Sequence, residues 1–232
     1  MGLFDDARKY YPKQLQKELS KPNKEIVIVD DRFVFDKPAR VVLTSRHGIN
    51  AMSFDFAYTI SGIDGKEYFK CMNFGNKKIL LSADNEPILG IYGKTLSLNY
   101  EIYAGDKKER LLAKLTYRNS HVAQKFSIIF TNLVTENEEY MDFNCEEHYR
   151  SGGVFYGKEK EGAPMICKFI EYNYKYSTGL RSKSPDAQGS YLIEMAANVD
   201  NVFLMAVGIV LAELDYNHQQ NQKVRHRNKI NE

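Results

Sequence analysis

The sequence predicts a mainly β fold, in which a sheet closes around one apolar helix near the C-terminus. Three observations predict it. Alternating apolar segments are separated by turn signals about every 8–12 residues, the rhythm of a sandwich or barrel and not of βαβ units. The helix that begins near Asp200 is apolar on every face from Val202 to Ala212. The chain of 232 residues is long enough for one closed β-domain with a full core, without disulfide or metal staples.

Residues 1–24 are polar and interrupted at Pro12 and Pro22, and read as a short helical N-terminal arm. The β-domain then runs over 25–216, and 217–232 form a polar basic tail. At its start Ile26-Val27-Ile28-Val29 is β-branched throughout and reads as a strand, as does Arg40-Val41-Val42-Leu43-Thr44. Phe54, Phe56, Tyr58 and Ile60 alternate, Asp64-Gly65 turns, and Tyr68 to Met72 runs back. A second hairpin joins Lys78–Ser82 to Ile88–Tyr92 through Asp84-Asn85-Glu86. A third joins Leu96–Tyr103 to Leu111–Tyr117 across Gly105-Asp106.

The second half repeats the pattern less regularly. Phe126–Phe130, Val154–Tyr156, Met165–Ile170, the Tyr172, Tyr174, Tyr176 ladder and Ser190–Met195 read as strands. Residues 135–147 are acidic and read as an exposed excursion, and Ser182–Gly189 as a loop.

Asp200 is a suitable N-cap for the helix, whose predicted extent is about 200–215, closing with Glu213, Leu214 and Asp215. A helix lying on a sheet shows one polar stripe, and this one has none until its last turn. It must therefore be surrounded, by lipid or by protein. A bilayer span needs about 20 apolar residues. This run is shorter, and it is flanked by Asp200, Glu213 and Asp215. About 16 helical residues reach roughly 24 Å, close to a strand of about seven residues at ~3.3 Å each. A helix threading a barrel fits those lengths, and closure also removes exposed sheet edges.

Charge is balanced, with 32 Lys and Arg against 30 Asp and Glu, which gives no ground for nucleic-acid binding. The tail carries Lys223, Arg225, Arg227 and Lys229, read as a solvated terminus with some attraction for an anionic surface. Cys71, Cys145 and Cys167 are scattered and odd in number, which is no disulfide framework. With no apolar signal core at Met1–Asp6, a reducing, cytoplasmic location follows as the default.

Three pieces, spanning roughly 40–215, carry a family resemblance: the hairpin Phe56–Lys70, the hairpin Lys78–Tyr92, and the strand-to-helix run Tyr191–Asp215. Together they resemble the LURP-one-related proteins, which share the tubby C-terminal-like fold with phospholipid scramblases. Asn85-Glu86 departs from the Gly that family more often carries, and 135–150 look inserted. The resemblance implies a closed antiparallel barrel of about twelve strands around the central helix. For function it implies an intracellular binding or scaffold module. Its partner would be a phosphoinositide or other anionic lipid, or a protein, and it would lie peripherally at a membrane if lipid is bound. The alternative is a tail-anchored or peripheral membrane protein of scramblase-like type.

The residues themselves offer little chemistry. Cys145-Glu146-Glu147-His148 supplies two potential zinc ligands where three or four are needed, and reads as ordinary surface. No cysteine stands in a turn that would expose a nucleophile, so no catalytic residue, metal ligand or cofactor is assigned and an enzyme is not expected. Gly152-Gly153-Val154-Phe155-Tyr156-Gly157 matches no phosphate loop. The tyrosine ladder reads as a half-buried strand more readily than as a base-stacking face. Lys77, Lys78 and Lys94 lie near hairpin turns; the resemblance implies that they meet an anionic head group, and otherwise they are solvated loop lysines.

Overall fold

A computed structural model describes residues 16–45, 57–95, 97–118, 123–171 and 190–230, with side chains as far as Arg225. Twelve strands close into a barrel, each bonded to its neighbours in sequence, with the last returning to the first. The strands are β1 (Ala39–Ser45), β2 (Tyr58–Gly62), β3 (Glu67–Phe74), β4 (Lys77–Leu81), β5 (Pro87–Gly93) and β6 (Tyr100–Ala104). They continue as β7 (Leu111–Arg118), β8 (Gln124–Asn132), β9 (Asn137–Cys145), β10 (Ser151–Tyr156), β11 (Met165–Glu171) and β12 (Tyr191–Met195). An up-and-down meander of an even number of strands leaves the first and last antiparallel, and β1 pairs with β12 from Ala39↔Met195 to Leu43↔Tyr191. The predicted hairpins stand: Gly65 and Gly105 take φ of +82° and +65° in their turns.

The helix α1, Asn201–Ile230, has 30 residues and is therefore about 45 Å long, more than the barrel can enclose. Asn201–Asp215 are almost wholly buried inside, and Tyr216 onward is largely exposed. The predicted end near Asp215 is thus where the helix leaves the barrel, not where it stops. No proline or glycine follows to stop it, and the polar residues Gln219, Gln220, Gln222 and Lys223 suit a solvated helix. At the entry the predicted cap holds: Asp200 Oδ1 accepts from the Phe203 N–H at 3.0 Å. Gly208 lets the helix press against the wall, since a Cβ there would stand 2.6 Å from Ile193 Cδ1 and 3.2 Å from Phe169 Cε1.

Three expectations need correction. Ile26–Val29 is buried but is no strand of the sheet; it makes a single bridge, Ile26↔Val199. Because β1 and β12 already close the barrel, its backbone finds other partners. Asp200 Oδ2 accepts from the N–H of Ile28, Val29 and Asp30 at 3.2, 2.7 and 3.3 Å, and Asn132 Oδ1 from Val27 N–H at 3.2 Å. The segment seals the helix-entry end. Second, residues 135–147 are no excursion, and 135–150 no insertion outside the barrel: β9 pairs with β8 over nine positions, Gln124↔Cys145 to Asn132↔Asn137. Its acidic residues mask a period-two pattern in which Met141, Phe143 and Cys145 face the core and Tyr140, Asp142 and Asn144 alternate with them. Third, Cys145 and Glu146 are buried, and not ordinary surface.

Within the expected N-terminal arm, residues 1–15 lie outside the described residues, and the chain from Gln16 to Lys24 is irregular, tied down where Ser20 N–H donates to Met165 O at 2.8 Å. Phe54, Phe56, the Tyr172, Tyr174, Tyr176 ladder and the loop at 182–189 also lie outside the described residues.

Candidate functional site

The pleat of β4 separates the two adjacent lysines. Lys77 points outward, with its Nζ 5.6 Å from the Tyr92 ring centre. Lys78 points inward, its side chain 3% exposed, and its Nζ pairs with Glu213 of α1 at 2.6 Å. Lys78 is therefore a barrel-to-helix tie, and not a surface lysine. Lys94 is half exposed and pairs with Glu101 at 2.8 Å.

Register builds an outer row from β4 to β7: Lys77 lies beside Tyr92, Tyr92 beside Glu101, and Glu101 beside Lys114. Lys108, from the turn after β6, reaches over the same surface, 4.5 Å from the Tyr92 ring centre and 5.8 Å from that of Tyr103. Tyr103 OH donates to Glu101 at 3.1 Å. The Lys94 ion pair does most to hold the Glu101 carboxyl below its usual range; Tyr103, Lys94's charge and Lys108 assist against partial burial. The result is a patch of Lys77, Lys94, Lys108 and Lys114 around the Glu101 carboxylate, floored by two tyrosine rings. Sequence reading found Lys77 and Lys94; Lys114 arrives by cross-strand register and Lys108 by the fold of the turn after β6, which no local pattern displays.

A second feature lies farther round the wall, on β7, β8 and β9. Arg118, Lys125 and Asn144 stand side by side across three strands. With Lys17, Lys160 and Glu159 they line a cleft of about 250 Å³ floored by Asp142. Asp142 is satisfied: it accepts from Arg118 at 2.5 Å, from the Glu159 N–H at 2.9 Å and from the Tyr140 hydroxyl. Burial, with Asp142 adding to it, pushes the Tyr140 hydroxyl up to about 12. Asn144 Nδ2 donates to Glu159 Oε2 at 2.6 Å, which fixes the amide orientation, because a carboxylate only accepts. Asn144 Oδ1 and Arg118 Nε are left buried without a partner. Nothing in the sequence marks this cleft, since its four cations, Lys17, Arg118, Lys125 and Lys160, come from four separate segments.

The other candidates group differently. Cys71, Cys145 and Cys167 are buried; burial pushes the Cys71 thiol up to about 12 and the other two well above their ordinary value. His148 does not meet Cys145 but His218 of α1, with Nδ1 and Nε2 3.3 Å apart. Among the described residues no group of three His, Cys, Asp or Glu is placed to hold a metal ion. No helix among them is long and apolar enough to cross a membrane, and the apolar run a tail anchor would need fills the barrel.

Comparison with curated proteins finds no match. Among solved structures the chain is similar to the X-ray structure of an Arabidopsis thaliana protein, with a TM-score of 0.56 and 14% identity over 82% of this chain and 98% of that one. At that identity the likeness is one of fold. The family model described as LURP-one-related matches residues 21–212, which take in all twelve strands and most of the enclosed part of α1. The chain belongs to the LURP-one-related family.

Proposed function

We propose that this barrel is a non-enzymatic intracellular binding module that docks its outer wall on an anionic partner, a membrane surface bearing phosphoinositide-type head groups. The observation that carries the reading is the patch on β4–β7. Among the described residues Lys77, Lys108 and Lys114 form no ion pair within 4 Å, and Lys94 pairs with Glu101. Lysines that flank partly exposed aromatic rings, here Tyr92 and Tyr103, suit the interface between water and head groups, where cation and ring both find a favourable place. Lys78 is excluded from the contact because its charge is engaged by Glu213. The filled barrel interior and the protonated state of all three thiols support a binding role over catalysis.

The test is co-sedimentation of the purified protein with neutral and phosphoinositide-containing vesicles at two salt concentrations. Salt-sensitive pelleting with the anionic vesicles alone is expected, and Lys77→Glu with Lys108→Glu should weaken it about tenfold or more, near 1 kcal/mol per cation. Absence of pelleting at low salt would remove the membrane reading and leave a scaffold with a protein partner.

A further inference from the structure

The mouth where α1 leaves the barrel carries a pair of histidines that the lysine patch does not use. Each is fixed by its own element. His148 sits at the third position of the turn Glu146–Tyr149 between β9 and β10, closed by the Tyr149 N–H donating to Glu146 O at 3.0 Å. The Glu146 carboxylate locks that turn, accepting from the Arg150 N–H at 2.9 Å and from Arg150 Nε at 3.1 Å. His218 lies about one turn beyond Asp215 on α1, whose preceding residues are packed inside the barrel. Both histidines are partly exposed, so solutes reach them.

Hydrogen bonding does not satisfy this pair. His148 Nδ1 lies 3.3 Å from His218 Nε2, and Gln222 Nε2 lies 2.7 Å from the same atom. A neutral imidazole nitrogen carries either one hydrogen or one lone pair. Whichever tautomer and amide orientation are chosen, His218 Nε2 answers one neighbour well and leaves the other. The contact left is the longer one, to His148, which exceeds the usual span of about 2.7–3.2 Å. A cation that accepts both lone pairs resolves the conflict. Two nitrogens each about 2.0–2.1 Å from a tetrahedral zinc ion stand roughly 3.3–3.4 Å apart, whereas a right angle at the metal requires roughly 2.9 Å. The observed separation is the tetrahedral one.

The surrounding charge suits a cation. His218 feels the carboxylates of Asp215, Glu147 and Glu146. Asp215 is engaged by Gln219, and Glu146 by Arg150. Glu147, beside His148 in the turn, is exposed and forms no ion pair among the described residues. As it stands, its carboxylate does not complete a set of three ligands.

We propose that His148 Nδ1, His218 Nε2 and, after rotation of its exposed side chain, the Glu147 carboxylate bind a zinc-type divalent cation, with water at the fourth position. Two histidines and one carboxylate form a ligand set that zinc accepts. Such an ion ties the β9–β10 turn to α1 at the point where the helix leaves the barrel, and so stabilises the folded chain.

Calorimetric titration of the whole chain with zinc chloride, slightly above neutral pH where imidazole is unprotonated, tests this. Cobalt(II) is the second probe, because its visible absorption is far more intense in a tetrahedral site than in an octahedral one. One saturable site per chain is expected, with an intense cobalt band and a melting temperature that rises with zinc concentration. Loss of even an outer-shell partner costs a metal site about 10–100-fold in affinity. His148→Gln and His218→Gln should therefore each weaken binding by about tenfold or more, and Glu147→Gln several-fold. The metal-free melting temperature of each variant should stay near that of wild type, since all three side chains reach the surface. His121→Gln and His226→Gln, outside the set, should leave binding unchanged. Ring resonances of the wild-type chain supply a reading that needs no variant: zinc should shift those of two of the five histidines. Absence of saturable binding, or binding indifferent to any of the three substitutions, would overturn the site and leave the two rings as a plain contact between α1 and the turn. The vesicle experiment on the lysine patch has no bearing on this outcome.

Discussion

The two halves of the enclosed helix solve burial in opposite ways. From Val202 to Leu211 every side chain is apolar and almost wholly buried, and Gly208 brings the helix against β11 and β12. From Ala212 onward the same barrel closes over ionisable groups. Glu213 meets Lys78 at 2.6 Å, Asp215 is held by Gln219 Nε2 at 3.0 Å to each oxygen, and Glu171 and His218 stand close enough to feel that carboxylate. The inner half needs no partner chemistry because apolar area removed from water is sufficient. The exit must pair each charge it buries, which ties its stability to protonation.

The strongest way to break this contrast is to put an ionic group where none is paired. Val207→Asp places a carboxylate at a fully buried position among apolar neighbours. The cost should be about 5 kcal/mol or more, comparable to the whole stability of ~5–15 kcal/mol, so the variant should be insoluble or lack a cooperative melting transition. A soluble variant with an unaltered transition would show that the helix is not in the core.

A smaller effect is expected at the exit. Lys78→Met removes one partner of a mostly buried pair and strands Glu213, whose side chain is 16% exposed. A loss of about 2–4 kcal/mol in denaturant unfolding is expected, of which Glu213→Gln added to it should recover a large part. If the double variant is no more stable than the single one, the pair is not what matters there.

The smallest effect is a pH dependence. Burial, helped by Asp215 and Glu146 and opposed by Arg150, pushes the Glu171 carboxyl up to about 7 from an ordinary 4.5. A raised acid favours its protonated form in the folded state. Its contribution is therefore complete below about 4.5 and is lost as pH rises toward 7. Burial, with His148 adding to it, depresses His218, whose contribution runs the other way: present above 6.5 and lost as pH falls. The difference in stability between wild type and Glu171→Gln isolates the first effect. After allowance for solvent screening it should shift against wild type by about 1–2 kcal/mol between those limits. A flat difference would show that Glu171 is ordinarily solvated.

Much of this protein is legible in its sequence. The hairpins at Asp64-Gly65 and Gly105-Asp106, the Asp200 cap and the all-round apolar run from Val202 are local signals, and local signals survive whatever the tertiary context. So does the inference that such a helix must be enclosed. Other features fail for a common reason. Ile26–Val29 has strand propensity, but propensity cannot tell whether a place in the sheet remains, and the β1–β12 closure had filled it. The acidic count over 135–147 hid a strand, because outward carboxylates are compatible with inward Met141, Phe143 and Cys145. Lys77 and Lys78 look like one basic point until the pleat sends them to opposite faces.

The closure of a sheet around α1 and the identity of the central helix were thus determined by the sequence itself, through periodicity and a hydrophobic run with only one consistent environment. The lysine patch, the Arg118–Lys125–Asn144 cleft and the pairing of Lys78 with Glu213 were decided by tertiary structure alone. Their members lie on different strands, on turns and, for Glu213, on the helix, and which residue stands beside which follows from inter-strand register and the closure of the sheet around α1, properties that no single segment contains.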